Sequence, residues 1–220
     1  MPDNLATLIG DVVASKEQPS RARFQESLNA TLDWANEQLS PLQPLAPTVG
    51  DEFQGAFATP AAAVLASLVV RLELLERTGA DSRYGLGFGQ VSVLDAARVP
   101  PLQDGPGWWA AREAIDTAKR LAESPRTAFV RTCFGRSATT EPTCPIEPGL
   151  DAFVICRDAT VAHMNDRQRR LLCRIMLGRD NQAELAASEG VTQGAISQNL
   201  RRSGAYAVAT AQRALEGRIP

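Results

Sequence analysis

Two adjacent carboxylates, Asp51 and Glu52, lie in the stretch VGDEFQGAF, directly after a glycine and between apolar residues. A third acid, Asp11, follows Gly10 at the end of an apolar run. Oxygen ligands of this kind suit Mg²⁺ or Mn²⁺. The other interpretation of the pair is a solvated turn whose acids bind nothing. The chemistry therefore depends on whether the fold brings Asp11 to the turn.

The order of the elements that must position these acids can be read from hydrophobic periodicity. Residues 4–14 suit a buried strand, and residues 21–39 suit a helix capped by Ser20. The pattern then predicts a hairpin turning at 50–52, a helix over 61–77, a strand over 82–94, a helix over 108–123 and a strand over 127–134. This β-α-β-β-α-β order with a trailing helix and strand is the ferredoxin-like arrangement. In that sheet the first strand lies beside the hairpin, so Asp11 should meet Asp51 or Glu52.

The three glycines of SRYGLGFGQ, at positions 85, 87 and 89, alternate along the predicted strand. They remove the side chains from one face, which permits close approach by a ligand or by another backbone. The sequence alone leaves both possibilities open.

Charge divides the chain into two parts. Residues 1–150 carry 13 Lys and Arg against 18 Asp and Glu, whereas residues 151–220 carry 10 against 7. Residues 135–149 are rich in Pro, Ser and Thr, as in a linker. We therefore predict an α+β domain over residues 1–149 and an all-helical domain over residues 150–220, with different partners.

The helical part has the spacing of a helix-turn-helix. Ala186 is small where two helices would cross, Gly190 permits the turn, and Ile196 would fill the small core. The predicted recognition helix begins at the N-cap and bears amides and guanidinium groups that can read base edges, namely Thr192, Gln193, Ser197, Gln198, Arg201 and Arg202. Arg167, Arg169 and Arg170 are predicted to contact phosphates. The alternative is a helix-turn-helix used only for protein contact.

Other classes of protein are disfavoured by composition. The N-terminus MPDNLATLIGDVV lacks the basic start and long apolar core of a signal peptide. No apolar run approaches the length that crosses a bilayer, so we expect no membrane contact and a cytoplasmic location. The four cysteines are spaced too irregularly for a zinc ribbon, and we expect free thiols.

Four stretches, IGDVVASK, VGDEFQG, GLGFG and DGPGWWAAREAI, resemble in order and spacing the SatD family of bacterial proteins. The α+β part also resembles the palm of nucleotide cyclases, both the class III and the GGDEF type. That resemblance implies a purine or cyclic nucleotide held with Mg²⁺ or Mn²⁺. The implied metal ligands are Asp11, Asp51 and Glu52, and the implied nucleotide-binding residues are Lys16, Asp104, Arg112 and Lys119.

Two positions depart from the cyclase patterns. Val49 replaces the first glycine of the diguanylate cyclase signature. In the helix WWAAR, Arg112 matches the class III arginine, but Trp108 stands where those enzymes have asparagine. The helical tail in turn resembles sigma-factor region 4. Together these resemblances imply a homodimeric regulator that senses a nucleotide and binds double-stranded DNA. The alternative is a metal-dependent nucleotide cyclase or hydrolase with an accessory tail, and no catalytic residue can be assigned for it.

Overall fold

The computed structural model describes residues 4–14, 20–98, 100–136, 147–178 and 180–218. The main sheet contains β1 (Asn4–Val12), β2 (Gln43–Pro47), β3 (Glu52–Phe57), β4 (Ser82–Gln90) and β7 (Thr132–Arg136), and a separate ribbon contains β5 (Ser92–Asp95) and β6 (Leu102–Asp104). The helices are α1 (Arg21–Leu39), α2 (Pro60–Thr78), α3 (Pro106–Ala122), α4 (Glu147–Ala162), α5 (Asp166–Leu177), α6 (Gln182–Ser188), α7 (Gln193–Arg202) and α8 (Ala205–Leu215).

The main sheet has the strand order β2-β3-β1-β4-β7. Neighbours among the first four strands are antiparallel, whereas β7 pairs parallel with β4. The segment from β1 to β4 is therefore the ferredoxin-like unit, and α3 with β7 extends it by one strand. This confirms the predicted α+β palm followed by a helical region, and "palm" below denotes β1 to β7.

The helices of the palm begin and end where local chemistry requires. Ser20 caps α1 by accepting a hydrogen bond from the backbone N–H of Arg23. Thr59 caps α2, and Pro60 occupies its first turn, where a missing N–H costs nothing. Gly79 ends α2 in the left-handed conformation, with φ of 70°.

The two faces of the sheet are covered by different helices. Tyr84 and Leu86 of β4 pack in the core with α1 and α2. The intervening Gly85 and Gly87 face α3, because a Cβ built at Gly85 would lie 2.1 Å from the carbonyl oxygen of Ala111. Of the two possibilities for the glycine stripe, the structure selects approach by a backbone, that of α3.

Two predicted strands were wrong in their bounds. The strand expected over 82–94 ends at Gln90, which pairs with Asn4, the first residue of β1, and beyond it the chain pairs with β6 instead. The strand expected over 127–134 begins only at Thr132. Thr127 instead closes the turn after α3, where its hydroxyl donates to the carbonyl of Leu121 at 2.7 Å. Most of the predicted linker, 137–146, lies outside the described residues.

The helical region packs directly on the palm. Leu68 and Leu72 of α2 share one hydrophobic cluster with Leu171, Ile196 and residues of α8. The domain boundary at residue 149 stays a prediction. No helix in the described ranges has both the length and the hydropathy needed to cross a membrane.

A buried ionic network joins the palm and the helical region near the start of β7. Arg157 of α4 donates to Asp158 at 3.0 Å and to the hydroxyl of Thr132 at 2.6 Å. Asp158 also accepts from Arg71 at 3.5 Å and from the backbone N–H of Arg131 at 2.9 Å. Because these groups lie on α2, β7 and α4, the network fixes the first helix of the helical region onto the palm.

Candidate functional site

The predicted meeting of Asp11 with the hairpin acids is confirmed. Asp11 and Glu52 are direct partners in the register of β1 and β3. The turn that precedes Glu52 contains Gly50 in the left-handed conformation, with φ of 70°, which glycine tolerates best. Both acids therefore lie at the carboxyl end of β1, at one edge of the sheet.

Cations from α3 and β4 approach these acids. Arg112 donates two hydrogen bonds of 2.6 Å to the two carboxylate oxygens of Glu52. Lys119 lies 3.0 Å from Oδ2 of Asp11, and Arg83 lies 4.0 Å from the same oxygen. Hydrogen bonding to Glu52, opposed by burial, raises the pKa of Arg112 above its ordinary value. The place where a metal was predicted thus already holds paired opposite charges.

Carboxylate oxygens of two acids near this cluster are not engaged in the ion pairs described above. Oδ1 of Asp11 is buried and has no hydrogen-bond partner among the described residues. Asp51, half-buried in the turn, forms no hydrogen bond or ion pair with the described residues. A buried unpaired carboxylate oxygen is costly, and a bound cation would remove that cost. In the described ranges, however, no three His, Cys, Asp or Glu side chains gather as a metal site.

The four predicted nucleotide-binding residues do not come together. Arg112 and Lys119 lie at the cluster, because they are two turns apart on α3 and so reach Glu52 and Asp11 respectively. Asp104 lies at the other end of the sheet, since the adjacent Gly105 approaches the carbonyl of Gln90. That end is roughly 23 Å from Asp11 along β1, at about 3.3 Å per residue. Lys16 is outside the described residues.

Asp104 has a structural role where it lies. Its Oδ1 accepts from the indole N–H of Trp109 at 2.6 Å and from the backbone N–H of Gly105 at 2.8 Å. These bonds fix the entry into α3, whose N-cap residue, Gly105, has no side chain to cap the helix. Trp108, by contrast, is buried against Leu5 and Ile9.

Arg83 is the member of the cluster that sequence reasoning missed. It is opposite Asp11 in the antiparallel pairing of β1 with β4. The signal was present in the alternation of β4, because Arg83 has the parity of the glycines and therefore faces α3. Finding it required the register of two strands that are distant in sequence.

The helix-turn-helix has the predicted local structure. Thr192 caps α7 through a hydrogen bond from the N–H of Ala195, and Gly190 makes the turn with φ of 63°. Ile196 and Leu200 are buried, and α7 packs against α5, α6 and α8. The other predicted recognition residues lie on its outer surface, where Gln193, Gln198, Arg201 and Arg202 are exposed and Ser197 is half-buried.

Three arginines near this helix form ion pairs within the protein. Arg167 and Arg170 both pair with Glu189, and Arg170 also reaches Glu76 of α2 at 2.9 Å. Arg169 pairs with Asp166 on its own helix. These predicted phosphate contacts are therefore engaged within the protein. In the described part of the chain, Arg201 and Arg202 pair with no carboxylate.

Nearly the whole chain matches one protein family. Residues 5–213 match the SatD family, and the chain belongs to it. No curated protein gives a significant match.

Several solved structures are similar to part of the chain. They include a bacterial light-regulated adenylyl cyclase, with a TM-score of 0.44 and 14% identity over 54% of this chain and 40% of the other. A second is the guanylyl cyclase domain of the RhoGC fusion protein from the aquatic fungus Blastocladiella emersonii. Its TM-score is 0.39, with 15% identity over 52% of this chain and 74% of the other. A third is the adenylyl cyclase CyaB from P. aeruginosa. Its TM-score is 0.36, with 12% identity over 50% of this chain and 69% of the other. The chain thus spans less than half of the first of these proteins.

Proposed function

We propose that this SatD-family protein is a transcriptional regulator that binds a purine or cyclic nucleotide with Mg²⁺ or Mn²⁺ and binds DNA through α7. The observation that carries the nucleotide part is the cluster of Asp11, Glu52, Arg112 and Lys119 at one edge of the palm. It combines carboxylates that suit a divalent cation with guanidinium and ammonium groups that suit phosphate.

The charge pairs suggest how such a ligand would enter. Asp51 and Oδ1 of Asp11 would hold the metal ion, which when bound would neutralise phosphate oxygens. A cation at Asp11 would weaken the hold of that carboxylate on Lys119. Lys119 and Arg112, both partly exposed, would then exchange a carboxylate partner for phosphate.

The first prediction concerns the metal-dependent affinity for nucleotide. Asp51→Ala should lower the affinity for ATP or GTP with Mg²⁺ by about tenfold or more, roughly 1.4 kcal/mol, because a proposed ligand is lost. Isothermal titration calorimetry of wild type and variant measures this. Asp33→Ala removes an exposed acid from α1 and is the matched control.

Absence of nucleotide binding in the wild type, or equal metal-dependent binding in both variants, contradicts this assignment. The same incubations, followed by chromatography of the nucleotide, test the alternative function. Appearance of a cyclised or hydrolysed product would make the protein an enzyme rather than a sensor.

The second prediction concerns DNA. The exposed amide and guanidinium groups of α7, with two arginines that pair with no described carboxylate, support major-groove contact. Gln198→Ala with Arg201→Ala should weaken binding to a selected duplex by about 1–3 kcal/mol for each lost base contact. Mobility-shift titration against genomic fragments measures the loss.

The control for DNA binding removes the same residue types elsewhere. Arg21→Ala with Gln25→Ala changes α1, and should leave the affinity unaltered. Binding by the α7 variant that equals wild type would refute α7 as the recognition helix and would favour a helix-turn-helix used only for protein contact.

A further inference from the structure

The large apolar side chains that the described part of the chain exposes are concentrated in one region. They lie on the β5–β6 ribbon or beside it, and we call the set the ribbon surface: Leu42, Val49, Val93, Leu94, Leu102 and Trp109. Leu42 and Val93 line one shallow cleft, and Val49 and Leu102 line the next. Pro101 and Gln103 line both clefts, so these four apolar residues lie on one continuous surface.

The ribbon does not bury these residues by itself. It is a separate two-stranded sheet, an arrangement that is at best marginally stable alone in water. Within β5, Leu94 is 63% exposed and Val93 is 47% exposed. The ribbon therefore presents apolar surface to solvent.

The size of the ribbon surface fits a protein interface. Its exposed side chains amount to roughly 600 Å², the upper end of what a monomer usually shows. One partner of a stable complex contributes about 800 Å². The neighbouring clefts, lined in part by Pro44, Pro100 and Pro101, would extend the contact beyond these six side chains.

The charge of the ribbon surface limits the class of partner. Its acids, Asp95 and Asp104, already accept hydrogen bonds from the backbone N–H groups of Ala97 and Gly105. Arg98 is the cation that lines its clefts. A surface with so little positive charge does not suit DNA or an anionic membrane. A near-neutral apolar patch with an exposed tryptophan is the composition of a homodimer core.

We infer that the ribbon surface is where a second copy of this chain docks, around a twofold axis that places the same patch on both subunits. Such a dimer would present two copies of α7, as recognition of two DNA half-sites requires. The inference does not depend on the proposed function, because its test measures mass and local protection without nucleotide or DNA.

The test is analytical ultracentrifugation of the full chain over a wide concentration range. We expect the wild type to approach twice its 23.6 kDa mass. Leu94→Glu and Leu102→Glu each place a charge in the apolar contact and should raise the dissociation constant about a hundredfold or more, roughly 2.7 kcal/mol. Ala22→Glu adds the same group to an exposed position on α1 and should leave the mass unchanged.

Hydrogen exchange of the wild type at low and high concentration locates the contact. Amide protection should increase with concentration in residues 91–104. A wild type that stays monomeric at every concentration overturns the inference. So does a dimer whose protection rises elsewhere while residues 91–104 exchange unchanged, or a dimer that both folded glutamate variants leave intact. If one variant does not fold, the other and the wild-type exchange data decide.

Discussion

Replacing Asp158 with alanine is expected to lower the free energy of unfolding by about 3–5 kcal/mol, the range for breaking a buried ion pair from one side. Asp158 is fully buried and accepts hydrogen bonds from Arg157, Arg71 and the backbone of Arg131. Arg157 is only 2% exposed, and burial, partly opposed by Asp158, lowers its pKa. Without Asp158 that guanidinium would be a buried charge with no carboxylate.

Urea denaturation followed by circular dichroism measures the loss. Asp166→Ala is the matched control, because Asp166 also pairs with an arginine but its side chain is 82% exposed. An exposed pair contributes about 0–1 kcal/mol, so the two aspartates should differ by several-fold. Equal losses would show that the network contributes no more than a surface pair.

The buried ionic network also extends from α4 towards the candidate site of the palm. Asp81, at the start of β4, binds Arg71 and Arg131. Burial would raise the pKa of Asp81, but Arg71 and Arg131 outweigh it and hold that pKa below its ordinary value. The backbone oxygen of Asp81 accepts from Val13, two residues after Asp11. The candidate site and the anchor of α4 thus share one end of the sheet.

If nucleotide and DNA binding are coupled, this proximity offers a route between them, from Asp11 and Arg83 through Asp81 and Arg71 to Asp158 of α4. A ligand would alter DNA affinity along it only by binding two arrangements of the network differently.

The order of the elements and the meeting of Asp11 with Glu52 could be predicted because both depend on local periodicity and on one known topology. The cations around these acids could be predicted only in part. Arg112 and Lys119 were expected from the resemblance to nucleotide cyclases, and both lie beside these acids. Arg83 and Asp104 depend on strand register and on the direction of α3, which no local pattern encodes.

The buried ionic network of Arg157 and Asp158 could not be predicted from the sequence, for a related reason. Arg157 and Asp158 are adjacent in a helix, where such a pair ordinarily faces solvent. They are buried because Arg157 reaches the backbone carbonyl of Val64 in α2 and the hydroxyl of Thr132 in β7, residues 93 and 25 positions away in the sequence. Only the tertiary fold distinguishes them from a surface pair.

The close packing of α3 on β4 leads to the last prediction, that Gly85→Ala should cost about 3 kcal/mol, the upper end of the range for an overpacked core. A methyl group at Gly85 would lie 2.1 Å from the oxygen of Ala111 and 2.3 Å from the nitrogen of Ile115. Both are backbone atoms of α3, so no side chain can turn away to make room. The helix itself must move, and it carries Arg112 and Lys119 away from their carboxylates.

Urea denaturation measures the change in stability, and Gly149→Ala is the control. Gly149 lies in α4 with open space around its Cα, so alanine there should leave stability unchanged or raise it by up to about 1 kcal/mol. The displacement of α3 should also weaken nucleotide binding in calorimetry, since two of the proposed phosphate contacts move with the helix. If Gly85→Ala is as stable as Gly149→Ala, then α3 does not rest on the glycine face of β4, and the cluster of acids and cations loses the support that positions it.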